Sequence, residues 1–265
     1  MRLDQRLWPA PVAIAHRGSR LLWPENTMEA FEGAVALGYS HLETDLHITR
    51  DGVLVCVHDE TVDRTTDGSG HVASFSFDEI QTLDAGHRHR AKDGYRFRAG
   101  GVKVPAFEEV IKTYPDVRFV VDLKTDGLEE PLAALIERHG MEDRLIVGSF
   151  SDARLGRFRE ITDGKVATST GRDVSRLWVL ASRVGRGIPT DARALQLPTR
   201  MRGVRVVSPG LVAVAHAAGL QVHVWTVNRK DAMAEYLDMG VDGIITDRPD
   251  LLKSLLIERG AWKEK

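Results

Sequence analysis

A chain of 265 residues is long enough for one large α/β domain or two small ones, with a substantial buried core. Its 36 basic and 38 acidic residues leave a formal net charge of -2, which is no electrostatic footprint for nucleic acid. No stretch reaches about 18 consecutive apolar residues and the first residues form no continuous apolar segment, so no stable membrane insertion is expected and the reading is of a soluble, cytoplasmic protein.

Short apolar runs alternate with longer amphipathic stretches along the chain. The runs fall at 12–15, 41–46, 53–57, 119–123, 145–149, 165–169, 194–197, 222–227 and 243–246. Helix-like stretches fall at 27–37, 128–139, 152–161, 172–184, 209–218, 230–239 and 250–259. Helix starts are marked by cap chemistry: Asn26 with Glu29 three residues on, Ser208 before Pro209, and Thr246-Asp247. Helix exits carry Gly38, Gly140, Gly219 and Gly240, where a left-handed residue ends the element. The single cysteine, Cys56, lies in the run Val53-Leu-Val-Cys-Val57 and reads as a buried core thiol.

Alternating β and α over most of the chain predicts parallel strands with helical crossovers, either a closed (β/α)8 TIM barrel or an open doubly wound sheet. No glycine-rich nucleotide loop follows the first strand. Polar residues collect instead at the carboxyl ends of several strands, where barrels build their sites, so the spacing favours a single (β/α)8 barrel over residues 1–265. One stretch breaks the rhythm: residues 59–104 contain no clean βα unit, which predicts an inserted, cap-like subdomain after the strand that carries His58. The charge-dense piece 86–93 within it reads as a phosphate-facing patch or as a solvated loop.

Side chains two apart on a strand share a face, so Glu43 and Asp45 project side by side. Two carboxylates that close repel unless a proton or cation lies between them. Asp122, at the end of another strand, offers a third oxygen ligand on the same face as Lys124. Hard oxygen ligands of this kind suit one divalent cation, magnesium or calcium ahead of manganese and zinc. His16 and His58 are the right type for acid–base work beside it, because imidazole titrates near neutral pH. His41 enters at the start of its strand and reads as structural, and His47 lies toward the rim. Arg17 and Lys124 would clamp a phosphate, although a carboxylate substrate suits the same cations.

The motifs Ala15-His-Arg-Gly18, Pro24-Glu-Asn-Thr27 and Glu43-Thr-Asp45-Leu-His-Ile-Thr49-Arg-Asp-Gly52 open an ordered set. It continues with Val57-His-Asp59, Arg64-Thr-Thr-Asp-Gly68, Val224-Trp-Thr-Val-Asn228 and Gly243-Ile-Ile-Thr-Asp-Arg-Pro249. In order and spacing this set closely resembles the glycerophosphodiester phosphodiesterases. The resemblance implies a (β/α)8 barrel with an insertion, His16 and His58 as an acid–base pair, Glu43 and Asp45 as metal ligands, and Arg17 as a phosphate contact. Many members carry glutamate where this chain has Asp122, one methylene shorter, which leaves the metal preference open.

The implied reaction is hydrolysis of a small-molecule glycerophosphodiester to sn-glycerol 3-phosphate and an alcohol. The nucleophile is water or the substrate's own neighbouring hydroxyl. Gln196 and Trp225 suit a wall that holds glycerol, Trp225 alternatively being plain core. Two rival activities stand beside this one: a lysophospholipase D whose apolar channel is edged by Leu21-Leu22-Trp23, and a metal-dependent aldolase or lyase on the same barrel. Either a monomer or a homodimer is compatible with the chain.

Overall fold

The computed structural model describes residues 7–90, 94–201 and 203–263. In chain order the strands are β1 (Val12–His16), β2 (His41–Ile48), β3 (Leu54–Cys56), β4 (Arg118–Leu123), β5 (Leu145–Gly148), β6 (Ala167–Thr168), β7 (Ala194–Pro198), β8 (Arg200–Met201), β9 (Val204–Arg205), β10 (Gln221–Trp225) and β11 (Gly243–Thr246). Among the described residues, eight of them run parallel in the order β6-β5-β4-β2-β1-β11-β10-β7. A single parallel bridge from Ser169 to Ala194 brings β6 back to β7. The nearly closed barrel is the one the alternation predicts, and the open sheet is excluded.

Helices α1 (Met28–Ala36), α2 (Phe77–Ile80), α3 (Phe107–Thr113), α4 (Glu129–His139), α5 (Asp152–Ile161), α6 (Arg172–Ser182), α7 (Pro209–Ala217), α8 (Lys230–Asp238) and α9 (Pro249–Glu258) complete the order. Helices α1 and α3 to α8 are the crossovers between staves, and α9 follows the last stave. Strand β2 is buried over seven successive residues because both of its faces are covered, one by the barrel interior and one by helices. Outside the wall, Phe31, Phe107, Phe119 and Phe158 anchor one half of the core, and Trp178, Leu211, Met233 and Leu252 the other. Inside, Ile14, Val120, Ile146, Ala167 and Ile245 fill the barrel over Trp8 at its base. His41 lies 4.7 Å from the Trp8 ring and His223 stacks on it at 6.1 Å, which places both histidines at the base, away from the mouth.

Four local expectations are corrected. The run at 53–57 is no barrel stave: β3 pairs antiparallel with β2, in the register Leu46 to Cys56 and Ile48 to Leu54. Strand β2 overshoots the barrel rim, turns at Gly52 and comes back, so His58 reaches the mouth on a hairpin arm rather than at the end of a parallel strand. Helix α3, for which no helical stretch was expected, is the true crossover from β2 to β4. Asn26 does not cap α1; Thr27 does, its hydroxyl accepting from the Ala30 amide at 3.3 Å. Nor does Asp247 cap α9, since that helix begins after Arg248 without a side-chain cap.

Residues between the hairpin and α3 pack on a small apolar cluster of their own: Val55, Val57, Val62, Val72, Ile80, Ala85, Val102 and Val104. Helix α2 sits here behind a reciprocal cap of Ser76 and Glu79. Of the charge-dense stretch 86–93, residues 91–93 lie outside the described residues. Arg88 Nε donates to the Thr66 carbonyl at 3.1 Å and His89 packs on Phe97, so these two side chains are spent on neighbours within the same segment.

Candidate active site

A cavity of about 300 Å³ opens at the carboxyl ends of the staves. All nine side chains singled out from the sequence line it: His16, Arg17, Glu43, Asp45, His58, Asp122, Lys124, Gln196 and Trp225. Strand register explains the convergence. His16 lies opposite Glu43 across β1 and β2, and Asp45 lies opposite Asp122 across β2 and β4. Parity then turns all four toward the mouth.

The carboxylates are held by cations of the chain itself. Asp45 meets Lys124 Nζ at 2.7 Å and Arg17 Nε at 3.0 Å. Asn26 Nδ2 adds a hydrogen bond to Asp45 at 3.0 Å, and its own carbonyl accepts from Thr44. Burial works against the Asp45 charge, yet Lys124 and Arg17 outweigh it and hold its carboxyl far below the usual carboxylate range. Lys124 also reaches Asp122 at 2.5 Å, so its ammonium bridges the two aspartates. Asp122 is pushed up by burial in spite of Lys124. Glu43 lacks such a clamp. It accepts from the Arg17 backbone N–H at 2.9 Å, and burial together with the neighbouring Asp45 charge pushes it up to about 7.

Each histidine is tied by one ring nitrogen to a carboxylate. His16 Nδ1 lies 2.6 Å from Asp247 Oδ1, leaving Nε2 3.9 Å from Glu43. Burial lowers the His16 pKa, but Glu43 and the Asp247 hydrogen bond outweigh it and raise it above the ordinary 6.5. Asp247 is itself fully buried and held down to about 2 despite burial, by His16, Asn228 and Arg20. Its second oxygen accepts from Arg20 Nε at 3.0 Å and Asn228 Nδ2 at 2.8 Å. His58 Nδ1 lies 2.5 Å from Asp59 Oδ1. Burial lowers the His58 pKa, and Lys124 and Arg17 add to that against Asp45 and Asp59.

The opposite wall is neutral and aromatic. Gln196 reaches over Gly148, where an added Cβ would lie 3.1 Å from its Oε1. Trp225 meets Phe150 edge to face at 6.0 Å. Asn26 and Asp247 read from the sequence only as helix caps, and Asp59 and Asn228 carry no role there, yet the four hold Asp45 and the two histidines in place. Their short polar side chains look the same in sequence whether they cap a helix or brace a site.

Whether these residues fit a divalent cation can be asked of the donors themselves. Three carboxylates on neighbouring staves are the right chemistry, and Glu43, raised by burial and then by the adjoining Asp45 charge, is a group whose charged form a cation would favour. The present side-chain arrangement gives the central place to Lys124; among the described residues, no three His, Cys, Asp or Glu side chains stand close enough to cage an ion as they are. The donor chemistry fits.

A barrel mouth that gathers acids, fixed cations and two carboxylate-tethered histidines is equipped for acid–base chemistry on an anionic substrate. The sequence profile of the glycerophosphoryl diester phosphodiesterase family matches residues 16–251, and the chain belongs to that family. It is 37% identical over 257 residues to the protein named probable glycerophosphodiester phosphodiesterase 2 of Mycobacterium tuberculosis, covering 95% of this chain and 92% of that one. A glycerophosphodiester phosphodiesterase of Caldanaerobacter subterraneus subsp. tengcongensis is 35% identical over 257 residues, covering 94% and 99%. Among solved structures, an Oleispira antarctica phosphodiesterase in complex with its product sn-glycerol-3-phosphate superposes with a TM-score of 0.76 at 25% identity, over 94% of this chain and 97% of that one.

Proposed function

We propose that this protein hydrolyses glycerophosphodiesters to sn-glycerol 3-phosphate and an alcohol, with His16 and His58 as its acid–base pair. The observation that carries the reading is the double tether. Asp247 holds Nδ1 of His16 and Asp59 holds Nδ1 of His58, which leaves Nε2 of each ring for one shared cavity. One imidazole takes the proton of the attacking hydroxyl or water, and the other gives a proton to the departing alkoxide. Arg17 and Lys124 set positive charge where the phosphate's non-bridging oxygens gather negative charge. Gln196 offers an amide to the glycerol hydroxyls, and Trp225 covers its carbon face.

Glu43, Asp45 and Asp122 would hold one divalent cation of the magnesium or calcium kind, which supplies Lewis-acid polarisation of the phosphate. The small-substrate reading is favoured over the lysophospholipase one by the first loop. Trp23 packs on Gly33 of α1, and among the described residues neither it nor Leu21 nor Leu22 lines the cavity. The inserted segment, residues 59–104, serves in this reading as a cap that delivers His58.

The test is release of glycerol 3-phosphate, coupled to its dehydrogenase, from a panel of glycerophosphodiesters and lysophospholipids across magnesium, calcium, manganese and zinc. His16→Ala and His58→Ala should each lose roughly 10²–10⁴ in rate with the fold intact. Full activity in either variant overturns the mechanism, and faster cleavage of the lysophospholipids overturns the substrate.

A further inference from the structure

Two of the ordered motifs, Pro24-Glu-Asn-Thr27 and Arg64-Thr-Thr-Asp-Gly68, contribute charged side chains that the reaction just described does not use. Glu25 and Arg64 are 39 residues apart and meet in a fork: Nη1 of Arg64 donates to Glu25 Oε2 at 2.8 Å and Nη2 to Oε1 at 2.7 Å. The remaining Nε of Arg64 donates to Asp59 Oδ2 at 2.5 Å. Asp59 turns its other oxygen to His58 Nδ1, and Glu25 also accepts from Arg17 Nη1 at 2.8 Å. One guanidinium thus stands at the centre of a chain that runs from His58 through Asp59 and Arg64 to Glu25, Arg17 and Asp45.

We propose that Arg64 is a positioning residue that keeps the His58 imidazole and the Arg17 guanidinium in register across the mouth. The inference rests on the acid–base reading of His58. Three nitrogens in a rigid plane are what the task demands, because a planar fork can bind one carboxylate in bidentate fashion and still reach a second. The partners lie inward. The Glu25 side chain is 9% exposed and that of Arg17 10%, while Arg64 covers them from outside at 45%. The fork is bidentate and belongs to a network with Asp59 and Arg17, so it fixes the relative placement of its partners as well as binding them. His58 arrives on a hairpin arm rather than a barrel stave, and its ring needs an anchor that the barrel wall does not provide. Arg64 ties that arm to the first βα loop through Glu25.

The test uses the full chain with glycerophosphodiester substrate and saturating divalent cation, comparing Arg64→Gln, Arg64→Lys, Asp59→Asn and His58→Ala. Arg64→Gln, assayed well below its unfolding transition, should lower kcat about 10–100-fold, in line with the cost of small misplacement at a reacting centre, with a smaller change in KM. Arg64→Lys should recover only part of the loss, since an ammonium lacks the fork. The double variant Arg64→Gln/Asp59→Asn should be little worse than the poorer single variant, because both act through one ring. Wild-type kcat in Arg64→Gln overturns the proposal, as does a loss that follows a fall in unfolding temperature and adds fully to that of Asp59→Asn. If His58→Ala itself turns over normally, it is the acid–base reading that fails. If His58→Ala is inactive and Arg64→Gln is normal, the role of Arg64 alone is wrong.

Discussion

Replacing Asp247 by Asn changes almost no volume but removes a charge on which three donors converge. One oxygen faces His16 Nδ1 and the other faces Arg20 Nε and Asn228 Nδ2. A carboxylate satisfies all three, whereas an amide has one acceptor oxygen and a donor in place of the other. If the amide oxygen faces His16, its NH2 is set against two donors. If it faces Arg20 and Asn228, the NH2 is set against Nδ1, and the ring must move its proton to Nε2, the nitrogen needed in the cavity. Either choice costs a hydrogen bond to a charged partner in a buried place, about 1.5–3 kcal/mol. At 1.36 kcal/mol per tenfold, that is roughly a 10- to 150-fold fall in kcat/KM. The anion that helps to hold His16 above 6.5 is also gone, so the limb of the pH–rate profile owed to His16 should move to lower pH. Initial rates of glycerol 3-phosphate release from pH 5 to 9, with unfolding measured alongside, test both parts. A variant with the wild-type profile and rate would refute the tether as a catalytic device.

Three further outcomes follow from the same geometry. His223 is fully buried and held down to about 4 by burial, so the folded form resists protonation that the unfolded chain accepts at 6.5; stability is complete above 6.5 and falls as pH drops toward 4, by about 3 kcal/mol for this group. Urea unfolding at pH 7.5 and pH 4.5 should therefore show a steeper acid loss in the wild type than in His223→Leu, and equal slopes would contradict the assignment. Glu43→Gln keeps the shape but removes the carboxylate with the least compensation, so calorimetric titration with magnesium or calcium should show weakened binding and the cation-dependent rate should fall with it. Gly18 has φ +75, and an added Cβ would lie 2.6 Å from the backbone and Cβ of Ala30; Gly18→Ala should destabilise the fold by more than about 2 kcal/mol in chemical unfolding, and a neutral result would show that the loop can shift.

The barrel was legible in the chain because staves and crossovers have different periods, and the acids were legible because a step of two preserves the face of a strand. Two misreadings have a physical cause. Run 53–57 is as apolar as any stave, being buried between β2 and the insertion, and nothing in its own residues reveals that it pairs antiparallel. Asn26 and Asp247 sit where caps belong, and only the fold shows that their side chains turn to Asp45 and His16. The braces at Glu25, Asp59 and Arg64 were invisible for another reason. Glu25 comes from the first loop and the other two from the segment after β3, and a pairing over 39 residues leaves no local signature.

The segment between β3 and α3 starts and ends at one spot on the barrel. Cys56 donates its N–H to the Pro105 carbonyl at 3.1 Å, and Val55 bridges Ala106, so entry and exit stand side by side. A segment whose ends already touch can be exchanged for a longer or shorter one at little cost in loop closure, since that cost grows only with the logarithm of length. The staves would not register the change. What a replacement must supply is small: a carboxylate beside His58 and a cation to hold it against the first loop. Such an exchange would leave the staves and their acids in register, and the hold on His58 would pass to the new segment.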